Sequence, residues 1–86
     1  MNLTEEFRKA AERVQLLDKR PSNEDLLQLY ALYKQATDGD LHGERPGGFD
    51  FKAMAKYDAW SKLKGTSPEE AMEAYIKLVD SLVSAI

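Results

Sequence analysis

Three clusters of helix-breaking residues divide this chain, and they constrain its fold more than any other feature. Pro21 interrupts it early. Gly39, Gly43, Pro46, Gly47 and Gly48 crowd into one central stretch, and Gly65 and Pro68 bracket a third interruption. Proline cannot donate the helical hydrogen bond and glycine loses the most backbone freedom on ordering, so regular structure is confined to the four intervals between these clusters. In each interval apolar residues recur at helical spacing, and none shows the two-residue alternation of a half-buried strand. The expected fold class is all-α, with four helices.

The first interval predicts a helix over about Thr4 to Asp18, with Phe7, Ala10, Ala11, Val14 and Leu17 on one face. Thr4 is placed to cap it, Glu5 and Glu6 suit the positive end of the helix dipole, Lys19 and Arg20 suit the negative end, and Pro21 stops it. The second helix is expected from about Asn23 to Ala36, capped by Ser22 or Asn23 and stopped by Gly39. Its apolar set (Leu26, Leu27, Leu29, Tyr30, Leu32, Tyr33 and Ala36) is wider than one core-facing stripe requires. The third is expected from about Phe51 to Leu63. Ala55, Ala59, Trp60 and Leu63 share one face, while Lys52, Lys56 and the neighbouring Tyr57 occupy another. The fourth opens with Ser67-Pro68-Glu69-Glu70, where Ser67 caps, Pro68 takes the first helical position and Glu70 closes a capping box. Met72, Tyr75, Ile76, Val79, Leu82 and Val83 then form its stripe, with Ala71 and Ala74 adding helix propensity. The connection between the second and third helices, about 14 residues, is long for a simple antiparallel turn and permits a crossover.

A chain of 86 residues holds one domain, read as residues 1–86. Apolar residues at 43% and charged residues at 31% are ordinary for a folded protein and too apolar for a disordered one. The absence of cysteine excludes a disulfide scaffold, a thiolate metal site and a cysteine nucleophile. A net charge of −3 argues against a general nucleic-acid binder, which needs a basic surface. No apolar run approaches the roughly 20 residues of a membrane span, and Glu5, Glu6, Arg8 and Lys9 make the first residues unlike a signal peptide. The single histidine, His42, lies in Asp38-Gly39-Asp40-Leu41-His42-Gly43-Glu44. As a calcium loop starting at Asp38 this stretch fails, because Phe49 stands where the twelfth-position carboxylate belongs. It reads as a turn whose Asp and Gly residues serve backbone geometry, with no metal site and no nucleophile–base pair.

Tyr30 and Tyr33 share a helical face with Lys34; Lys52 and Lys56 face together; Tyr75 lies mid-helix in the fourth segment. Two readings fit this pattern. The tyrosines are boundary aromatics and the lysines solvated, or together they suit a ligand with an aromatic base and several phosphates. In the second case the ring stacks, the hydroxyl hydrogen-bonds, and the ammonium pairs with phosphate.

The order and spacing of several strings resemble the acyl-CoA-binding protein family over essentially the whole chain. They are Tyr33-Lys34-Gln35-Ala36-Thr37 followed by Gly39-Asp40, Glu44-Arg45-Pro46-Gly47, Asp50-Phe51-Lys52, Lys56-Tyr57-Asp58-Ala59-Trp60, Leu63-Lys64-Gly65-Thr66-Ser67, and Glu70-Ala71-Met72 through Ala74-Tyr75-Ile76. The resemblance implies a skewed up-down-down-up four-helix bundle with a long overhand loop between the second and third helices. It implies a protein that binds long-chain fatty acyl-CoA thioesters in a groove as an intracellular carrier and pool former, that catalyses nothing and that needs no cofactor. Carried over by position, the ligand residues are Tyr30, Tyr33, Lys34, Lys52, Lys56 and Tyr75. Lys34 and Lys56 meet phosphates, notably the ribose 3′-phosphate, and Tyr33 stacks near the adenine. Leu26 and Leu27, with Ala10 and Val14, form the acyl-chain groove. The resemblance further implies a cytoplasmic monomer with no nucleic-acid partner, no stable membrane insertion, and transient contacts with enzymes that use acyl-CoA. Gln15 stands where many relatives have a lysine, Tyr57 replaces a frequent tryptophan, and Met54 replaces a frequent basic residue. The rival reading is a helical protein-interaction module that binds a partner helix and no small molecule.

Overall fold

The computed structural model describes residues 2–84 and contains four helices: α1 (Leu3–Val14), α2 (Asn23–Asp38), α3 (Phe51–Ser61) and α4 (Pro68–Ser84). Among the described residues there is no strand. Each helix begins at a side-chain cap that satisfies an orphan backbone N–H. The Asn2 side chain accepts from the Glu5 N–H at 2.8 Å, so α1 starts ahead of the expected Thr4, which lies inside the first turn. Ser22 caps α2 by accepting from Asp25 at 3.1 Å, and Asp50 caps α3 by accepting from Ala53 at 3.1 Å. At α4 both halves of the capping box form: Ser67 Oγ accepts from the Glu70 N–H at 3.1 Å, and Glu70 Oε1 accepts from the Ser67 N–H at 3.2 Å.

The far ends differ from the expected ones for local reasons. Past Val14 the N–H groups of Gln15, Leu16 and Leu17 reach back three residues instead of four. The chain tightens there, α1 ends four residues before Asp18, and Leu16 is left exposed. Residues 62–64 wind up in the same way after α3, bonding to carbonyls three residues back at Leu63 and Lys64. In contrast, α2 runs two residues past Ala36, to Asp38. It stops at Gly39, whose φ of 81° lies in the left-handed region that favours glycine.

The core sits where α4 packs on α1 and α2. Phe7 and Ala10 from α1, Leu29, Leu32 and Ala36 from α2, and Ala71, Tyr75 and Val79 from α4 are buried together. These are the helical stripes expected from spacing, plus Ala71. Val83, placed on the same stripe by spacing, is exposed. Helix α3 packs on α2 and contributes no fully buried residue.

What holds α3 and the connection 39–50 is polar. The Gln35 side chain is completely buried. Its Nε2 donates to Asp40 Oδ1 and to the Thr66 carbonyl, each at 2.8 Å. Its Oε1 accepts from the Trp60 indole N–H at 3.1 Å, a donor that also reaches the Gly39 carbonyl at 3.0 Å. Asp40 Oδ1 accepts a further bond from the Gly65 N–H at 2.8 Å. Farther along the connection, the Tyr57 hydroxyl donates to the Gly43 carbonyl at 3.0 Å. Arg45 donates through two nitrogens to the two Asp58 oxygens, each at 2.9 Å. No buried side-chain polar atom among the described residues lacks a partner. His42 is exposed, and no group of His, Asp or Glu among the described residues could hold a metal ion.

Truncating Gln35 to Ala removes one hub and strands its partners. We expect a loss of about 2–3 kcal/mol in urea unfolding followed by circular dichroism, against near-zero loss if the hub were solvated. The Gly65 N–H, then the Gln35 amide, hold the Asp40 carboxyl below the usual aspartate range. Its contribution is therefore present above that range and lost as pH falls through it to the lower folded value. Asp40→Asn should flatten the acid limb of the stability profile, and an unchanged limb would contradict this role.

Candidate ligand-binding site

Two concavities open on either side of α2 and share a wall. The first, about 540 Å³, is lined from α2 by Leu26, Leu29, Tyr30, Tyr33 and Lys34, from α1 by Ala11 and Val14, from α4 by Tyr75, and by Gln15 and Pro21 of the turn after α1. The second, about 730 Å³, is lined from α2 by Asn23, Leu26, Leu27 and Tyr30, from α3 by Phe51, Lys52, Ala55 and Lys56, and by Arg20. Leu26 and Tyr30 belong to both. The wide apolar surface of α2 thus has two uses: Leu32 and Ala36 turn to the core, Leu26, Leu27, Tyr30 and Tyr33 turn to the openings, and the buried Leu29 serves both the core and the first opening.

The first concavity is built on stacked rings. Tyr33 stacks on Phe7 with centroids 5.4 Å apart and an interplanar angle of 26°. Tyr75 meets the same Phe7 edge-on at 5.0 Å, and Tyr33 and Tyr75 lie 6.1 Å apart. Phe7 and Tyr75 are buried, whereas Tyr33 is 44% exposed. A ring supported from beneath with surface open to solvent is a stacking platform that needs little ordering when a planar group arrives. Burial, and secondarily the nearby Tyr33, pushes the Tyr75 phenol upward, so its hydroxyl keeps its proton at neutral pH.

Cations border the aromatic surfaces. The Lys34 Nζ lies 2.5 Å from Asp38 Oδ2 and 5.1 Å from the centroid of the Trp60 ring. The bond to Asp38 is the main reason its ammonium is raised above the usual lysine range. The Lys56 Nζ lies 5.1 Å from the Tyr30 centroid. Lys52 is exposed at the mouth of the second concavity. Stacking surface, phenol hydroxyls, ammonium groups and an apolar floor are equipment for holding a ligand with aromatic, phosphate and aliphatic parts.

Most of the residues expected at a site come together. Tyr30, Tyr33, Lys34, Tyr75 and Val14 line the first concavity, Tyr30, Leu27, Lys52 and Lys56 the second, and Leu26 both. Ala10 lines neither; it is fully enclosed in the core, on the helix that packs against α4. Gln15 lines the first concavity, whereas the Tyr57 hydroxyl is occupied at Gly43. Spacing missed Arg20, Asn23, Phe51 and Ala55. The only signal for Phe51 was a large aromatic beside Lys52 at a helix start; Arg20 depends on where the turn before Pro21 travels.

A family model described as acyl CoA binding protein matches residues 4–79. An acyl-CoA-binding protein of Brassica napus is 52% identical over 85 residues, spanning 99% of this chain and 92% of its own. The acyl-CoA-binding protein homolog of Drosophila melanogaster is 50% identical over 82 residues, spanning 95% of each. Among solved structures, acyl-CoA-binding protein 2 of Oryza sativa superimposes with a TM-score of 0.92 at 48% identity, covering 98% of this chain and 93% of that one.

The chain has one tryptophan, so its emission reports one environment. Lys34→Met removes the ammonium from above the Trp60 ring and should change the emission of the ligand-free protein while helicity stays the same. An identical spectrum would contradict that placement.

Proposed function

The chain belongs to the acyl-CoA-binding protein family, and from this premise we propose that it binds long-chain fatty acyl-CoA thioesters across the two concavities. In this reading it acts as a monomeric cytoplasmic carrier that keeps a pool of the thioester in solution and performs no chemistry on it. The observation that carries the reading is the shared wall. Leu26 and Tyr30 join an opening with a stacking platform to one with apolar walls and a lysine rim, so one ligand can occupy both.

The division of labour follows from chemistry. The adenine stacks on the open face of Tyr33, supported by Phe7 and Tyr75. Lys34 and Lys56 pair with phosphates, and Lys52 adds charge at the rim. The acyl chain lies along Leu26, Leu27, Phe51 and Ala55. Each methylene taken from water favours binding by roughly 0.8 kcal/mol, offset in part by lost translational and conformational freedom. Because the whole chain carries a net charge of −3, attraction of a polyphosphate depends on these local lysines and should weaken as salt rises. A partner-helix module would leave the lysines and the stacked ring without a task.

Two substitutions separate the halves of the site. Lys34→Ala should weaken acyl-CoA binding about tenfold, the worth of one charge-assisted contact, with helicity intact. Leu27→Asp should weaken acyl-CoA far more than free CoA, because only the thioester has a chain to place there. Unchanged affinities in titration would remove these residues from the site and favour the protein-partner reading.

A further inference from the structure

The Lys34 ammonium is already held before any ligand arrives, and its holder is an unexpected residue. We infer that Asp38 is an intrahelical counter-charge that competes with the ligand's phosphates for Lys34 and thereby sets the affinity and lifetime of the complex. The inference rests on the placement of Lys34 at the head group proposed above.

Asp38 earns no place in α2 through local stability. It stands in the last turn of the helix, at the negative end of the dipole, and that turn has no basic residue. It also pairs with a lysine four residues before it, the less favourable orientation for a helical ion pair. A neutral residue would suit the helix end better on both counts. Asp38 takes no part in the neighbouring hub, whose carboxylate comes from Asp40, bonded to Gln35 and the Gly65 N–H. What Asp38 does hold is the Lys34 Nζ, at 2.5 Å, with that ammonium 5.1 Å from the Trp60 centroid. Lys34 also lines the first concavity, so a phosphate entering there meets a cation that is already neutralised.

Binding then requires the ammonium to leave Asp38, or to share itself with a carboxylate kept close to the incoming phosphate. Both weaken the complex, and both lapse when the carboxylate becomes an amide. The pair is partly exposed, with side-chain exposures of 31% and 48%, so the effect is screened by water and modest. We expect about threefold to tenfold. It should shrink with salt, and it should appear chiefly in the dissociation rate, because the contact is broken and remade in the bound state.

The test is a double-mutant cycle titrated with palmitoyl-CoA at low and high salt, on the unmodified chain, Asp38→Asn, Lys34→Ala and the double variant, with helicity checked for each. Asp38→Asn should tighten binding about threefold to tenfold at low salt and less at high salt. The gain should disappear when Lys34 is already alanine. If Asp38→Asn binds equally or more weakly while Lys34→Ala still loses affinity, the competition is refuted and the head-group reading stands. If the gain persists without Lys34, Asp38 acts on the phosphates directly, and competition for Lys34 is overturned. If Lys34→Ala changes nothing, the head-group assignment of Lys34 itself falls, and this inference falls with it.

Discussion

A single buried amide organises the half of the molecule that the hydrophobic core does not reach. Gln35 is fully enclosed, and its three side-chain hydrogen bonds run to the connection 39–50, to α3 and to the turn before α4. Helix α3 has no fully buried residue and packs on α2. Its position therefore depends on Trp60 reaching Gln35 and Gly39, supported by the Arg45–Asp58 and Tyr57–Gly43 contacts. A buried polar group left unpaired is costly, so such a hub rewards one arrangement and penalises its neighbours. That arrangement puts Phe51, Lys52, Ala55 and Lys56 opposite Leu26, Leu27 and Tyr30. The second concavity exists because the hub holds.

The first concavity depends on the core instead. Phe7 and Tyr75 are buried in the contact of α1 with α4, and the exposed Tyr33 ring rests on them. Core packing thus prepares the stacking surface before a ligand is present, which lowers the ordering cost of binding. The two halves meet at Tyr30, whose ring faces Lys56 of α3. One helix, α2, carries core residues, hub and both walls at once, which accounts for an apolar surface broader than a bundle helix needs.

Local signals were legible and distant ones were not. The breakers at Pro21, Gly39 and Gly65 lie in the interruptions between helices, although only Gly39 sits at a helix end while α1 and α3 stop earlier, at Val14 and Ser61. The Ser67–Glu70 capping box formed as spacing suggested, because caps depend on neighbours three residues away. The core stripes were readable from period alone, Phe7, Leu29, Tyr75 and Val79 among them. Gln35 was invisible, since a polar residue in a helix looks the same whether it meets water or Trp60 from 25 positions on. Asp38 and Asp40 read as one turn-forming pair, yet one holds Lys34 and the other the Gly65 N–H. Ala10 illustrates the converse: it shares the face of Val14 but lies deeper, and depth is set by how closely α4 approaches.

The central claim is that one ligand spans both concavities, its adenine on the Tyr33 platform of the first, its chain along the apolar wall of the second, and its phosphates between them at Lys34 and Lys56. Calorimetric titration with palmitoyl-CoA, free CoA and palmitate, side by side, tests it most directly. The account predicts tight binding of the thioester and far weaker binding of each half, because contacts across the shared wall at Leu26 and Tyr30 are made together only by the intact molecule. Palmitate or CoA binding as tightly as palmitoyl-CoA, or no binding of the thioester at all, would contradict it.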